Sequence, residues 1–272
     1  MKCEPIEDWK HFIGYVHENK WVGLWSEAFL FRGVSDSGYG LEPSILRILR
    51  KQNLTEEEGL ALEKEGTDFF QHEAHLHFNE ELFAGPADPL SWWALMQHYG
   101  APTRLLDWTR SVFAAAYFAV KDVGQRKRTP DGAIYILPLG DEQHKLWQLP
   151  VSRNGQAFLP LREAEPRLFT YLRRPFGRMS TQQGHFTLSS GILVDHLTLI
   201  DNQAGEHSKQ CTKLIIPAGQ KNAFLGYLRG LNVTAASLFP DKDGYGRSIE
   251  EWFRLKAAQC GYMKTIGKDK QA

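Results

Sequence analysis

Residues 110–122 read RSVFAAAYFAVKD. Alanines at 114, 115, 116 and 119 alternate with Val112, Phe113, Tyr117, Phe118 and Val120, so the segment favours helix and is apolar almost all round. Such a helix is buried on most of its sides, and the rest of the chain must pack around it. Downstream, GAIYILPL (132–139) is short, β-branched and aromatic, and reads as a central strand. Upstream, AFLFRG (28–33) reads as a shorter strand ending at Gly33.

Working outward, residues 5–20 read as a helix with Ile6, Trp9, Phe12, Ile13 and Val16 at helical spacing. Ser35–Gly40 is a turn-rich loop and Ser44–Arg50 a short helix. Thr55 followed by Glu56, Glu57 and Glu58 marks a helix start, and that helix runs to about His77. The Gly85–Pro89 stretch breaks the chain; a second helix covers Leu90–Tyr99, stopped by Gly100 and Pro102. Beyond the central strand, Gly184–Ser190, Leu197–Ile200 and Lys213–Pro217 read as strands. Gln220–Leu228 and Arg247–Ala257 read as helices. The expected architecture is α+β: one domain over residues 1–262, with a mixed sheet of short strands and several helices, then a polar, basic tail at 263–272.

At 272 residues, 42% hydrophobic and 24% charged, the chain has the make-up of a globular domain with a real core. Its start lacks the apolar core of a signal peptide, and no window has the length of a membrane span. Cys3, Cys211 and Cys260 are few, odd in number and scattered, which points to a reducing, cytoplasmic setting rather than a disulfide framework. Acidic and basic side chains balance at 32 each, but residues 1–90 carry 8 basic and 17 acidic groups. The remainder is correspondingly basic, an asymmetry that suits either two halves packed together or a basic face for phosphates.

Three segments carry chemistry. Phe31-Arg32-Gly33 places a guanidinium at a strand end, and Arg grips carboxylates or phosphates with its planar fork; an internal salt bridge is the plainer role. Gln97-His98-Tyr99-Gly100-Ala101-Pro102-Thr103-Arg104-Leu105-Leu106-Asp107-Trp108-Thr109 is dense in polar groups on a bend between apolar helices. In it Asp107 or Thr109 is suited to cap the helix from Arg110, Arg104 and Asp107 to pair, and His98 to act as acid, base or orienting group. The third segment, Arg178 to Thr187, sets Gln182 and Gln183 beside Gly184, just before a strand.

Together these segments resemble the FRG domain, named for its (Phe/Tyr)-Arg-Gly motif. The resemblance adds Tyr117-Phe118-Ala119, Gln182/Gln183-Gly184-x-Phe186 and Ala236-Ser237-Leu238-Phe239-Pro240-Asp241-x-Asp243-Gly244, and spans about residues 28–255. A more distant resemblance, to ADP-ribosyltransferases of the Arg-Ser-Glu type, rests on the aromatic-Arg-Gly of the first strand. It implies NAD as a substrate, with Arg32 and Gly33 at its phosphates or ribose. It implies His98, Tyr99 and Trp108 around the nicotinamide, Thr103, Arg104 and Thr109 on the same wall, and Asp107 stabilising the ribosyl cation. The late strand Lys213–Pro217 lacks the glutamate of that family, so Gln182 and Gln183 stand nearest to its place. Small stand-alone domains of this kind resemble toxins or phage-defence effectors, with a nucleic-acid or protein target.

Arg167, Arg173, Arg174 and Arg178, interleaved with Phe169, Tyr171 and Phe176, suit instead a non-catalytic nucleotide- or nucleic-acid-binding module. No metal is expected. His72, Glu73, His75 and His77 miss HExxH spacing, and Asp241-Lys242-Asp243-Gly244 lacks the later ligands of a calcium loop. The sequence thus predicts one polar cleft, walled by Arg32, His98, Tyr99, Arg104, Asp107 and Gln182 or Gln183. It requires Arg32 to meet the 98–109 segment in space.

Overall fold

The computed structural model describes residues 1–23, 28–77, 89–123, 128–139, 166–171, 182–203 and 211–269. The chain begins with β1 (Lys2–Pro5), α1 (Trp9–Glu18), β2 (Phe29–Val34), α2 (Ser44–Lys51) and α3 (Glu56–His77). It continues through α4 (Pro89–His98), β3 (Leu105–Thr109), α5 (Val112–Val120), β4 (Gly132–Pro138), β5 (Leu168–Tyr171) and β6 (Gly184–Ser189). It ends with α6 (His196–Gln203), β7 (Thr212–Ile216), a 3-10 turn, α7 (Lys221–Gly230), α8 (Ala235–Leu238) and α9 (Lys242–Asp269).

The strands form one mixed seven-stranded sheet in the order β1-β7-β4-β2-β3-β6-β5. β1 and β7 run parallel and the other neighbours antiparallel. The fold is therefore α+β in one domain, as expected.

Side chains alternate across this sheet. Phe31, Ile134, Ile136, Leu214 and Ile216 face α1, α5, α7 and α8 in the main core. Leu30, Val34, Leu106, Trp108, Tyr135 and Leu137 face the opposite way, onto Leu41 and α6. A third cluster sets Leu90, Trp93, Ala94 and Met96 of α4 against Leu105, Phe169, Phe186 and Leu188.

α5 sits at the centre, as its composition requires, and two glycines explain how closely. A Cβ at Gly33 would lie 1.8 Å from the Ala115 carbonyl oxygen, and one at Gly132 would lie 2.2 Å from that of Ala119. Gly33 is thus a contact surface for the alanine helix rather than a point of flexibility.

Several local readings are corrected. Leu197–Ile200 is helical: Asp195 caps α6 by accepting from the Thr198 amide (3.0 Å), and Leu199 and Ile200 turn into the core. Residues 105–109 are a strand paired with β6, so neither Asp107 nor Thr109 caps the next helix; Ser111 does, accepting from the Ala114 amide. Asp241-Lys242-Asp243-Gly244 opens α9, with the Asp241 carboxylate accepting from the Gly244 amide (2.6 Å), and the helix continues as far as Asp269. β1 and β5 had no counterpart in the sequence reading. The capping reading at Thr55 is realised as a reciprocal box, Thr55 N–H to Glu58 (2.8 Å) and Glu58 N–H to the Thr55 hydroxyl (3.3 Å).

Among the described residues no helix is long and apolar enough to cross a membrane. The three cysteines are free thiols.

Candidate functional site

The sheet has a flaw at its centre. β2 pairs with β4 along its full length, from Phe29–Pro138 to Val34–Ala133, but meets β3 at Phe31–Thr109 alone. Past that point β2 and β3 diverge, and Arg32 spans the gap: its Nη1 donates to the main-chain carbonyl of Asp107 at 2.6 Å. α5 covers β2 and the C-terminal end of α4 approaches β3, which leaves an opening above the split. A cavity of about 420 Å³ lies there.

Each of the five motif segments contributes to its wall. Arg32 and Gly33 come from β2, Gln97 and His98 from the end of α4, and Asp107, Trp108 and Thr109 from β3. Phe118 comes from α5, Gln182 and Phe186 from the start of β6, and Phe239 from the end of α8. The predicted convergence of Arg32 with His98 and Asp107 is thus present in space.

Other expected members lie elsewhere. Tyr99 is exposed beyond the end of α4, where Gly100 (φ +86°) terminates the helix, and it is not part of the wall. Arg104 does not pair with Asp107. It is buried, and its guanidinium forks onto Glu63 of α3, with Nε to Oε1 at 2.7 Å and Nη2 to Oε2. Gln183 is exposed and holds the turn before β6 with φ of +51°. Arg167 is an exposed residue before β5 and lines no part of the cleft; Arg173, Arg174 and Arg178 lie outside the described residues.

Thr103 acts one step back. Its hydroxyl donates to Gln97 Oε1, which turns Gln97 Nε2 toward Asp107 Oδ2 at 2.9 Å. Asp107 Oδ1 has no hydrogen-bond partner among the described residues. Gln182 is braced too: it accepts from Thr109 Oγ1 through its carbonyl (2.6 Å) and donates from Nε2 to the Leu238 carbonyl (2.9 Å).

Sequence reasoning did not select Gln97, Phe118 and Phe239 from within the quoted motifs, nor Tyr39, Lys121 and Arg247 outside them. The last two are cations set on aromatic faces. Lys121 Nζ stands 5.2 Å from the centroid of Phe118, and the Arg247 guanidinium 4.7 Å from that of Phe239, while the two rings meet edge to face. The Phe118-x-x-Lys121 spacing, one helical turn, was the available signal for the first.

Among the described residues the wall carries Arg32, Lys121 and Arg247 against one carboxylate, Asp107. Burial lowers the Arg32 guanidinium from its ordinary value, and the Asp107 charge opposes that shift. Arg32 Nε is buried with no hydrogen-bond partner among the described residues. Such a site favours an anion that completes the neutralisation.

Beneath Arg32, a buried chain holds Trp108: its indole N–H donates to Thr187 Oγ1 (2.8 Å), which bonds His196 Nδ1 (2.8 Å). Burial first, and the Arg32 charge next, push the His196 imidazole down from 6.5 to about 3. Folded protein keeps this ring neutral where the unfolded chain protonates it. Between those two values the unfolded state binds the extra proton, so the contribution to stability is complete above 6.5 and is lost as the pH falls toward 3. Urea unfolding should show wild-type stability falling by on the order of 1 kcal/mol per pH unit below about pH 6 from this group. His196→Gln should flatten that part of the slope; an unchanged slope would remove His196 as its source.

The FRG domain family model matches residues 27–128 of the chain, the stretch from β2 through α5. It takes in Arg32, Gln97, Asp107 and Phe118, a shorter span than the motif resemblance. No curated protein matches the chain, and no solved structure matches it.

Proposed function

We propose that this chain, whose FRG domain supplies the split between β2 and β3, binds a nucleotide there and cleaves NAD at its nicotinamide–ribose bond. The observation that carries the reading is the meeting of Arg32 and Asp107 across that split, in a cleft whose described residues include three cations and one carboxylate. Phosphates complement the cations of such a wall, and Arg32 offers them a partly buried fork. The volume of about 420 Å³ falls in the range of small-molecule sites.

The carboxylate then has a distinct role. As the glycosidic bond breaks, its electron pair leaves with nicotinamide and positive charge grows on the ribose carbon. Asp107, oriented by Gln97, stabilises that charge without reorganising. Water adds to the carbon, and His98, on the same wall, takes its proton. ADP-ribose and nicotinamide are the products; a protein or nucleic-acid acceptor in place of water makes the same step a transfer. Depletion or transfer of this kind is the action a toxin or phage-defence effector would use.

Calorimetric titration of NAD and ADP-ribose tests the binding, and nicotinamide release tests the cleavage. Arg32→Ala should weaken both ligands by about 10- to 100-fold, as expected for loss of charge-assisted hydrogen bonds. A wild-type protein that neither binds them nor releases nicotinamide would end this reading.

A further inference from the structure

Among the described residues Phe31, Tyr39, Trp108, Phe118, Phe186 and Phe239 border the cleft, and their burial separates them sharply. Phe31, Trp108 and Phe186 are 0%, 3% and 4% exposed, so their rings are spent on the core. Phe239 is 8% exposed and carries the Arg247 guanidinium on its face. Phe118 is partly buried beneath Lys121. Tyr39 alone among these six is 50% exposed.

Tyr39 also sits on a loop that is held from below. Three carbonyls at alternate positions of the Ser35–Tyr39 turn each accept from a long side chain of the sheet or of α7. Lys221 Nζ donates to Ser35 (2.6 Å), Lys213 Nζ to Ser37 (2.6 Å) and the Tyr135 hydroxyl to Tyr39 itself (2.6 Å). Lys221 is fully buried and Tyr135 1% exposed, so two of the three struts are themselves fixed in the core. An exposed aromatic ring on a braced backbone loses little freedom when a ligand settles on it.

We infer that Tyr39 is the platform on which the planar base of the ligand stacks, so that the site recognises a base-bearing nucleotide rather than a bare sugar phosphate. The inference rests on the nucleotide reading of the cleft and adds the residue that reads the base. The expectation that Tyr99 and Trp108 flank the nicotinamide is revised: Tyr99 does not line the cleft, and Trp108 lines it but is 3% exposed, with its indole N–H committed to Thr187.

The test is calorimetric titration of NAD and of ribose 5-phosphate against wild type, Tyr39→Ala and Tyr39→Phe, with unfolding midpoints confirming that each variant is folded. Base stacking on an aromatic side chain predicts that Tyr39→Ala weakens NAD by about 10- to 100-fold and that Tyr39→Phe stays within about twofold of wild type. Ribose 5-phosphate, which has no base, should bind wild type and Tyr39→Ala alike. Wild-type affinity for NAD retained in Tyr39→Ala overturns this inference and leaves the nucleotide reading standing. Equal weakening of both ligands overturns it as well, since the ring would then act on the phosphate end. Failure of wild type to bind NAD at all overturns both.

Discussion

Glu63→Ala is expected to lower the unfolding free energy by about 3–5 kcal/mol, the cost of leaving a buried charge without its partner. Arg104 is 1% exposed and Glu63 7%, so water cannot replace the lost carboxylate. The guanidinium holds more than one element together: besides Glu63 on α3, its Nη1 donates to the Ser189 and Ser190 carbonyls at 3.1 and 3.2 Å, and it lies 5.2 Å from the Trp93 ring centroid. Removing Glu63 therefore loosens α3 from the β3–β6 end of the sheet. Urea titration measures the effect as a lower midpoint at unchanged slope. The double change Glu63→Leu/Arg104→Met should recover most of the loss, because it removes both charges and retains apolar volume. A Glu63→Ala protein within about 1 kcal/mol of wild type would mean that the pair contributes no more than an exposed one.

That pair shows where sequence reading stops. Arg104 and Asp107 are three positions apart, and the obvious local pairing joins them. The strand places Arg104 next to the Leu105–Leu188 register, beside Ser189, and hands it to a glutamate 41 positions earlier. Distance along the chain carries no trace of that contact. The same strand was hidden for a second reason. Leu106 and Trp108 are buried on one face and Leu105 and Thr109 on the other, so no apolar–polar alternation marks it, and its polar residues resemble a bend. β1 escaped because it is a short, largely exposed edge strand of Lys, Cys, Glu and Pro.

What was legible rests on strong local chemistry. Alanines 114–116 require a buried helix whatever the topology, and the Thr55–Glu58 box and Gly100 mark helix ends by backbone hydrogen bonding alone. The meeting of Arg32 with Asp107 was legible from motif order. The cations at the mouth were not, because Lys121 and Arg247 are set by where α5 and α9 cross the aromatic pair, a tertiary fact. Tyr39 looks like any turn residue until three carbonyls of its loop are found held from below.

The largest functional effect is expected at Asp107. In Asp107→Asn the side chain keeps its shape and an oxygen for Gln97 Nε2, but loses the negative charge. If the carboxylate stabilises a cationic ribose carbon, nicotinamide release should fall by about 100- to 1000-fold, the scale seen when one preorganised electrostatic group is removed. On the proposed reading NAD affinity should change by no more than a few-fold, because removing one negative charge from a wall that also carries Arg32, Lys121 and Arg247 does not weaken its hold on phosphates. The two readouts separate the possibilities. A fall in release at constant affinity is the mark of an interaction made in the transition state alone. A parallel loss of affinity and rate would instead place Asp107 in binding, and an unchanged rate would remove it from the chemistry. The Asp107 side chain is exposed to the cleft, so the variant should unfold within about 0.5 kcal/mol of wild type, and a lost rate cannot then be ascribed to a lost fold.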